Sequence, residues 1–316
     1  MTGVQTCALP ISGDKRLLWH PDGDAFVMYQ VSRGSWVALG DPVGPAARAE
    51  ELVWAFREQV DRRGGRCVFY QVSDRMLPLY VDLGLALLKL GEEARVALGD
   101  FGLEGSSRAD LRQSRRRAER DGASFEVVAP AAAGSLLPRL RGISDAWLAD
   151  KATAEKGFSL GSFDERYLSE FPLAVVRAEG EVVAFANLWP TASREELSID
   201  LMRFGPDAPR GTMDYLFIEL MLWGRGQGYR WFNLGMAPLS GLENRALAPL
   251  WHRMGSFLFS HGESFYNFEG LRRYKEKFAP VWEPRYLAAH GGLRLPRVLV
   301  DVATLISGGL KELVSK

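Results

Sequence analysis

Apolar and polar positions near the start of the chain follow two different periods, which predict different elements. Residues 26–29 and 36–39 are apolar runs on either side of a polar turn, and this arrangement predicts a β-hairpin. Between residues 46 and 63 the apolar positions recur every three or four residues, which predicts a helix that ends at Gly64. The same reasoning predicts the elements that follow: a strand at 67–72, a short helix at 74–83, a strand at 85–90, a helix at 106–121 and a strand at 124–128.

A Pro/Ala/Gly stretch at residues 129–134 predicts a boundary between two halves of the chain. Beyond it, three consecutive strands predict an antiparallel meander. The predicted elements of this half are a helix at 135–150, strands at 173–177, 182–189 and 196–204, a helix at 212–223, a strand at 230–234 and helices at 242–259 and 269–278. Both halves mix strands and helices, so an α/β or α+β fold built from two related lobes is expected.

Composition excludes several classes of protein. The 316 residues are 47% hydrophobic, and Lys plus Arg equals Asp plus Glu at 39 each, so the chain is not a uniformly basic nucleic-acid binder. Two cysteines and four isolated histidines give neither a disulfide framework nor metal-ligand spacing. No apolar run reaches the length of about 18 residues that a membrane span needs.

The first 13 residues are set apart from the fold. They carry no charge for a signal peptide, and residues 4–11 resemble the translation of a sequencing adapter. A non-native leader at 1–13 is therefore expected, with a disordered natural tail as the alternative.

Two local excesses of positive charge stand out in this neutral chain. The predicted helix at 107–120 carries six arginines, and guanidinium groups suit phosphate oxygens of RNA or anionic lipid. The candidate phosphate ligands are Arg108, Arg112, Arg115 and Arg116. A second group, Arg272, Arg273, Lys275 and Lys277, lies among aromatic residues, which permits base stacking or contact with a membrane surface. Solvated helix faces over a buried core are the alternative for both.

The predicted strand at 196–204 contains the ionisable pair Asp200 and Arg203. Strict alternation places the two side chains on opposite faces unless a bulge intervenes. Such a pair is costly to bury without partners, so it is expected to line a cleft or a salt-bridge network. The glycines at 224–228 follow a helix and precede a strand, which is the reverse of the order in a dinucleotide-binding loop.

Four segments together resemble one known family. They are GDPVGP at 40–45, ELSIDLMRF at 196–204, RWFNLGMAPLSG at 230–241 and FYNFEGLRRYKEKFAPVWEPRYL at 265–287. In this order they resemble the C-terminal catalytic domain of the multiple peptide resistance factor family, the aminoacyl-phosphatidylglycerol synthases. The resemblance implies an α+β fold of tandem GNAT-like lobes, with mixed sheets flanked by helices, similar to the Fem transferases. We expect lobes at 14–129 and 135–292 and an amphipathic C-terminal helix at 293–316.

The resemblance also implies an activity: transfer of lysine or alanine from aminoacyl-tRNA to phosphatidylglycerol in an anionic membrane, which alters membrane charge and resistance to cationic peptides. An aminoacyl ester is already activated, so no cofactor and no metal is expected. Asp200 is expected to hold the substrate amine or to transfer a proton, and Arg203 and Lys275 to bind phosphate or stabilise negative charge. Glu243 and Glu269 are further candidates for the amine, and Arg272, Arg273 and Lys277 for substrate binding.

Family members carry an N-terminal flippase domain that this sequence lacks, and they act at the cytoplasmic face of the bacterial inner membrane. Two other functions stay open. One is a GNAT-like transferase that uses aminoacyl-tRNA or acyl-coenzyme A on a cell-wall precursor. The other is a non-enzymatic module that binds tRNA or anionic membrane. The sequence decides neither the amino acid transferred nor the oligomeric state.

Overall fold

The computed structural model describes residues 9–151, 155, 157–242 and 268–307. The strands are β1 Arg16–Trp19, β2 Phe26–Ser32, β3 Ser35–Leu39, β4 Arg66–Ser73, β5 Ala86–Ala97, β6 Ala123–Val128, β7 Leu173–Ala178, β8 Glu181–Pro190, β9 Glu196–Phe204, β10 Trp231–Pro238 and β11 Val281–Ala289. The α-helices are α1 Ala49–Arg62, α2 Leu77–Asp82, α3 Ala109–Arg120, α4 Leu137–Asp150, α5 Glu165–Ser169, α6 Thr212–Gly226, α7 Phe268–Glu276 and α8 Leu295–Ile306.

The chain divides into two compact units. The first contains residues 1–95, 156–159 and 235–316, and the second contains residues 96–155 and 160–234. Two of the four boundaries fall inside strands β5 and β10. These units differ from the predicted lobes at 14–129 and 135–292, because β11, near the end of the chain, pairs with β4 and β5 of the first unit. The GNAT-like lobe boundaries stay a prediction.

In the first unit the strand order is β1-β2-β3-β4-β11-β5. The predicted hairpin is confirmed as β2 and β3, and the pair of β3 with β4 is parallel. Helix α1 forms where Leu52, Val53, Phe56 and Val60 share one face, and that face is fully buried against Phe69 of β4. The helix ends before Gly64, whose φ of 62° lies in the left-handed region.

In the second unit the strand order is β10-β9-β8-β7-β6. The predicted antiparallel meander is confirmed as β7, β8 and β9, while β10 runs parallel to β9. Helix α6 is buried on several sides because it packs against α3 as well as the meander strands. Helix α4 packs on β8 and β9.

The mixed sheet pairing and flanking helices confirm the expected α+β class. Residues 130–134 of the predicted linker lie in a 3₁₀-helix, Pro130–Ser135, since proline at a first turn followed by alanines favours helical backbone. The predicted helix at 242–259 lies outside the described residues. Of the predicted leader, Leu9–Ser12 form a 3₁₀-helix.

Helix α8 is amphipathic, as the spacing of its apolar residues predicts. Its apolar side, which includes Leu295, Val298 and Val302, is buried, and the helix packs on β2 and β3. Asp301 on the same helix is buried and accepts hydrogen bonds from Ser35 at 2.6 Å and Arg66 at 3.0 Å. Across the described ranges, the helices fall short of the length and hydropathy that a bilayer crossing requires.

Candidate active site

A bulge in β9 brings the predicted ionisable pair to one face of the strand. Leu188 of β8 lies opposite Ile199, and Ala186 lies opposite Met202, so the single residue Asn187 faces both Asp200 and Leu201. Two residues opposite one is the arrangement of a β-bulge, which shifts the alternation of side chains by one position. The Asn187 side chain accepts the Leu201 N–H at 2.7 Å and replaces the missing ladder bond.

The alternation of β8 and β9 on both sides of the bulge then places Asp200 and Arg203 on the same face as Trp189. The β-bulge that the sequence pattern required for Asp200 and Arg203 to share a face is therefore present.

The carboxylate of Asp200 is held by donors from a loop and a short helix. The Gly161 N–H lies 2.9 Å from Oδ1 and 3.0 Å from Oδ2, and the Tyr167 hydroxyl of α5 donates to Oδ2 at 2.7 Å. Trp189 Nε1 in turn donates to the Tyr167 oxygen at 2.9 Å. Burial, and then the charge of Asp200, raise the pKa of the Tyr167 hydroxyl, so it remains a proton donor. Asp200 is half-buried, and these donors fix the orientation of its carboxylate.

Arg203 is 5% exposed and is fully engaged with its own unit. Its guanidinium donates to Glu155 Oε2 at 2.7 Å and to Ser144 Oγ of α4 at 2.9 Å, and it lies 5.0 Å from the Trp147 ring centre. Glu155 also accepts the Phe163 N–H at 3.1 Å. In this arrangement Arg203 holds Glu155, which in turn accepts the N–H of Phe163, two residues after Gly161, and the predicted role of Arg203 as a phosphate ligand stays a prediction.

Lys275 of α7 is 6% exposed and lies in the first unit. Its Nζ donates to the carbonyl oxygens of Gly235 at 2.9 Å and Met236 at 3.0 Å. Burial lowers the pKa of Lys275 to about 7, against the opposing effect of the Glu93 carboxylate. An amine with a pKa near neutrality can exchange a proton at physiological pH, so Lys275 has the properties of an acid–base group as well as those of a cation.

Arg272, one turn before Lys275, is part of a network with the loop after β10. It donates to Glu92 Oε2 at 2.5 Å and to Ser240 Oγ at 2.7 Å, and it lies 4.2 Å from the Trp282 ring centre. Lys89 donates to the other oxygen of Glu92 at 2.8 Å. Burial raises the pKa of Glu92, but these hydrogen bonds outweigh it and hold that pKa below its usual range. Arg272 is thus bound to a carboxylate of its own unit.

The remaining predicted substrate ligands are less defined. Arg273 and Lys277 are exposed on and just after α7, and the Lys277 ammonium lies 4.6 Å from the Tyr274 ring centre. Glu269 is the second residue of α7. Glu243 lies outside the described residues.

The predicted basic helix is α3, and its arginines differ in their surroundings. Arg115 donates to Glu219 of α6 at 2.5 Å, Arg112 donates to the backbone oxygens of Leu103 and Gly105, and Arg108 lies 5.4 Å from the Phe101 ring centre. These three contact the protein itself. Arg116 and Arg120 are exposed, and with Arg112 they border an open groove of about 790 Å³. Glu119 borders the same groove, and phosphate binding by these arginines stays a prediction.

Sequence reasoning missed the residues that hold Asp200 and Arg203. Gly161 and Tyr167 are 39 and 33 positions from Asp200 in the chain, and Glu155 is 48 positions from Arg203. No local motif links them. The pattern could have drawn attention only to Trp189, because it ends a predicted buried strand.

The described fold has a known relative of different sequence. The solved structure of FemX is similar with a TM-score of 0.59 and 8% identity, over 93% of this chain and 92% of that one. At that identity the likeness concerns the fold alone, and it confirms the expected similarity to Fem transferases.

Closer similarities define the family. A family profile described as phosphatidylglycerol lysyltransferase, C-terminal, matches residues 6–289. A structure of L-PGS from Bacillus licheniformis is 40% identical with a TM-score of 0.83, over 95% of this chain and 91% of that one. The chain therefore belongs to the phosphatidylglycerol lysyltransferase C-terminal family.

Full-length relatives give the same assignment. The phosphatidylglycerol lysyltransferase of Bacillus subtilis strain 168 is 40% identical over 304 residues, which are 96% of this chain and 35% of that protein. The enzyme of Staphylococcus aureus strain MRSA252 is 39% identical over 87% of this chain and 33% of that protein. The chain spans about a third of the length of these relatives.

Proposed function

We propose that this chain catalyses transfer of an aminoacyl group, lysyl or alanyl, from aminoacyl-tRNA to a hydroxyl of phosphatidylglycerol. Membership of the lysyltransferase family supports the acceptor and the reaction class. The observation that carries the proposal is the carboxylate of Asp200, oriented by Gly161 and Tyr167. Arg203 of the same strand holds Glu155.

The geometry of Asp200 favours one of its two predicted roles. Donors from Gly161 and Tyr167 stabilise the ionised carboxylate, which makes it a better partner for an ammonium group than an acceptor of a proton. We therefore assign Asp200 to the amino group of the aminoacyl ester. The α-amine is adjacent to the ester carbonyl whatever the side chain, so this contact orients the carbonyl regardless of which amino acid is carried.

The reaction is a transesterification and needs no outside reactant. The lipid hydroxyl oxygen forms a bond to the ester carbonyl carbon, and the bond from that carbon to the ribose oxygen breaks. The proton leaves the lipid hydroxyl and ends on the ribose hydroxyl, so atoms and charge balance. The role of Lys275 in catalysis stays a prediction; in its own unit its Nζ donates to the carbonyl oxygens of Gly235 and Met236, and burial lowers its pKa to about 7.

The donor and acceptor both carry phosphates, and α3 is our candidate surface for the RNA. Arg116 and Arg120 are exposed beside the groove, whereas Arg115 is bound to Glu219. Phosphate contacts of this kind give affinity without sequence specificity. We place the reaction at the cytoplasmic face of the bacterial inner membrane, where charged tRNA and phosphatidylglycerol meet. A lysyl product would make the lipid cationic and lower the affinity of the membrane for cationic peptides.

The test supplies the purified chain with phosphatidylglycerol vesicles and tRNA charged with radiolabelled lysine or alanine. Label in the butanol-extracted lipid on thin-layer chromatography is the expected result. Label that appears only in a water-soluble product would refute the lipid acceptor. Binding of RNA without transfer of label from either charged tRNA would refute the enzymatic function.

Substitutions at the carboxylate site sharpen the test. Asp200→Ala removes the amine contact and Arg203→Ala releases Glu155, and each is expected to lower transfer at least 100-fold, since a misplacement near 1 Å has that effect. Arg177→Ala is a matched control, because Arg177 is paired with Glu126 on the exposed surface of the same unit. Near-normal transfer by both site variants would contradict the assigned roles.

A further inference from the structure

The loop residue Gly161 approaches Asp200 more closely than any residue with a side chain could. Its N–H reaches both carboxylate oxygens, at 2.9 and 3.0 Å. A Cβ atom built on Gly161 would lie 2.1 Å from Asp200 Oδ2, and 2.8 Å from Cε1 of Tyr167. A contact of 2.1 Å is far inside the van der Waals distance, so an added methyl group would have to displace the carboxylate.

The backbone of Gly161 does not itself require glycine. Gly161 is absent from the residues with positive φ, so an L-residue can adopt its conformation without strain. Glycine is required at position 161 because the Asp200 side chain and the Tyr167 ring occupy the space that a Cβ atom would fill. A glycine that is needed for a neighbouring carboxylate, and not for a turn, indicates a role in placing that carboxylate.

We infer that Gly161 is a positioning residue that sets the orientation of the Asp200 carboxylate toward the substrate amine. The N–H fixes the plane of the carboxylate from one side, and the Tyr167 hydroxyl holds Oδ2 at 2.7 Å from another. Trp189 fixes Tyr167 in turn. The role in catalysis rests on the proposed function, whereas the coupling between Gly161 and Asp200 does not.

The coupling is tested by a double-mutant cycle of Gly161→Ala and Asp200→Ala, read by the urea midpoint of unfolding. Gly161→Ala is expected to lower the midpoint when Asp200 is present. In the Asp200→Ala background the drop in midpoint caused by Gly161→Ala is expected to be at most half as large. The carboxylate is then gone, and the Tyr167 ring is free to move. An equal loss in both backgrounds, or no loss in either, would overturn the inference.

The control for the substitution itself is Gly142→Ala. Gly142 lies in α4 of the same unit, has no positive φ, and a Cβ there meets nothing within 4 Å. It is expected to leave the midpoint unchanged or to raise it, since alanine favours helix over glycine.

The positioning role is tested by transfer kinetics on the same four proteins. Gly161→Ala is expected to lower kcat about 100-fold with Asp200 present, and to cause no further loss in the Asp200→Ala background. Tyr167→Phe, which keeps the ring and removes the donor, should lower kcat in the same direction. A full kcat for Gly161→Ala would overturn the positioning role. If the wild-type chain transfers no label, the proposed function fails, while the unfolding cycle still decides the coupling.

Discussion

Replacing Lys275 by methionine tests the most strongly perturbed amine in the described residues. Burial lowers the pKa of Lys275 from 10.5 to about 7, with Glu93 opposing the shift. Below pH 7 the amine is protonated in the folded and the unfolded chain, so the folded protein bears the full cost of the buried charge. Between pH 7 and 10.5 the folded amine is neutral while the unfolded amine is protonated. Unfolding then takes up a proton, and the free energy of unfolding rises with pH.

The size of the effect follows from the shift. Within this window the free energy of unfolding rises by about 1.4 kcal/mol for each pH unit. Between pH 6 and 9.5 the wild-type chain should therefore gain about 3 kcal/mol in free energy of unfolding relative to Lys275→Met. The methionine variant also leaves the carbonyls of Gly235 and Met236 without their donor, but this loss is independent of pH and only offsets the curve. A neutral amine keeps two N–H bonds, which suffice for those two acceptors.

The assay is urea unfolding of both proteins at half-unit steps from pH 6 to 9.5. Other titrating groups are common to the two proteins and cancel in the difference. A difference that stays constant within about 0.5 kcal/mol across this range would refute the assignment of a lowered pKa to Lys275.

Two further predictions concern charged residues elsewhere in the chain. Asp301→Ala should lower the free energy of unfolding by roughly 3 kcal/mol, because Arg66, only 18% exposed, loses the carboxylate that neutralises it. Urea unfolding checks this, and a loss below about 1 kcal/mol would contradict it. Arg116→Gln should reduce the slope of log affinity for RNA against log salt by about 1, whereas Arg117→Gln, off the groove, should leave it unchanged. Equal slopes for the two variants would contradict a phosphate contact at the groove.

The fold class followed from the sequence because periodicity is local. The apolar positions of α1 and the hairpin of β2 and β3 repeat at spacings that the chain itself displays. Strand β11 was not predicted, because Glu283, Pro284 and Arg285 interrupt its apolar pattern. In the structure Arg285 is paired with Glu93 of β5, a partner that is distant in the chain.

The candidate site was predicted only in part, for a related reason. Asp200 and Arg203 were singled out as ionisable residues in an otherwise apolar strand. Their shared face depends on the bulge opposite Asn187, and a bulge is a property of two strands together. Gly161 could not be recognised, since its importance lies in the space that Asp200 occupies and not in its own backbone.

The position of β11 between β4 and β5 has a consequence for how the polypeptide is made on the ribosome. Residues 96–155 and 160–234, which form the second unit, have all been synthesised before β11 exists. Until residue 289 has left the exit tunnel, β4 and β5 each lack the neighbour that pairs with one of their two edges. The second unit can therefore fold during translation, whereas the sheet of the first is completed only after β11 has been made, and until then β4 and β5 each keep one open edge.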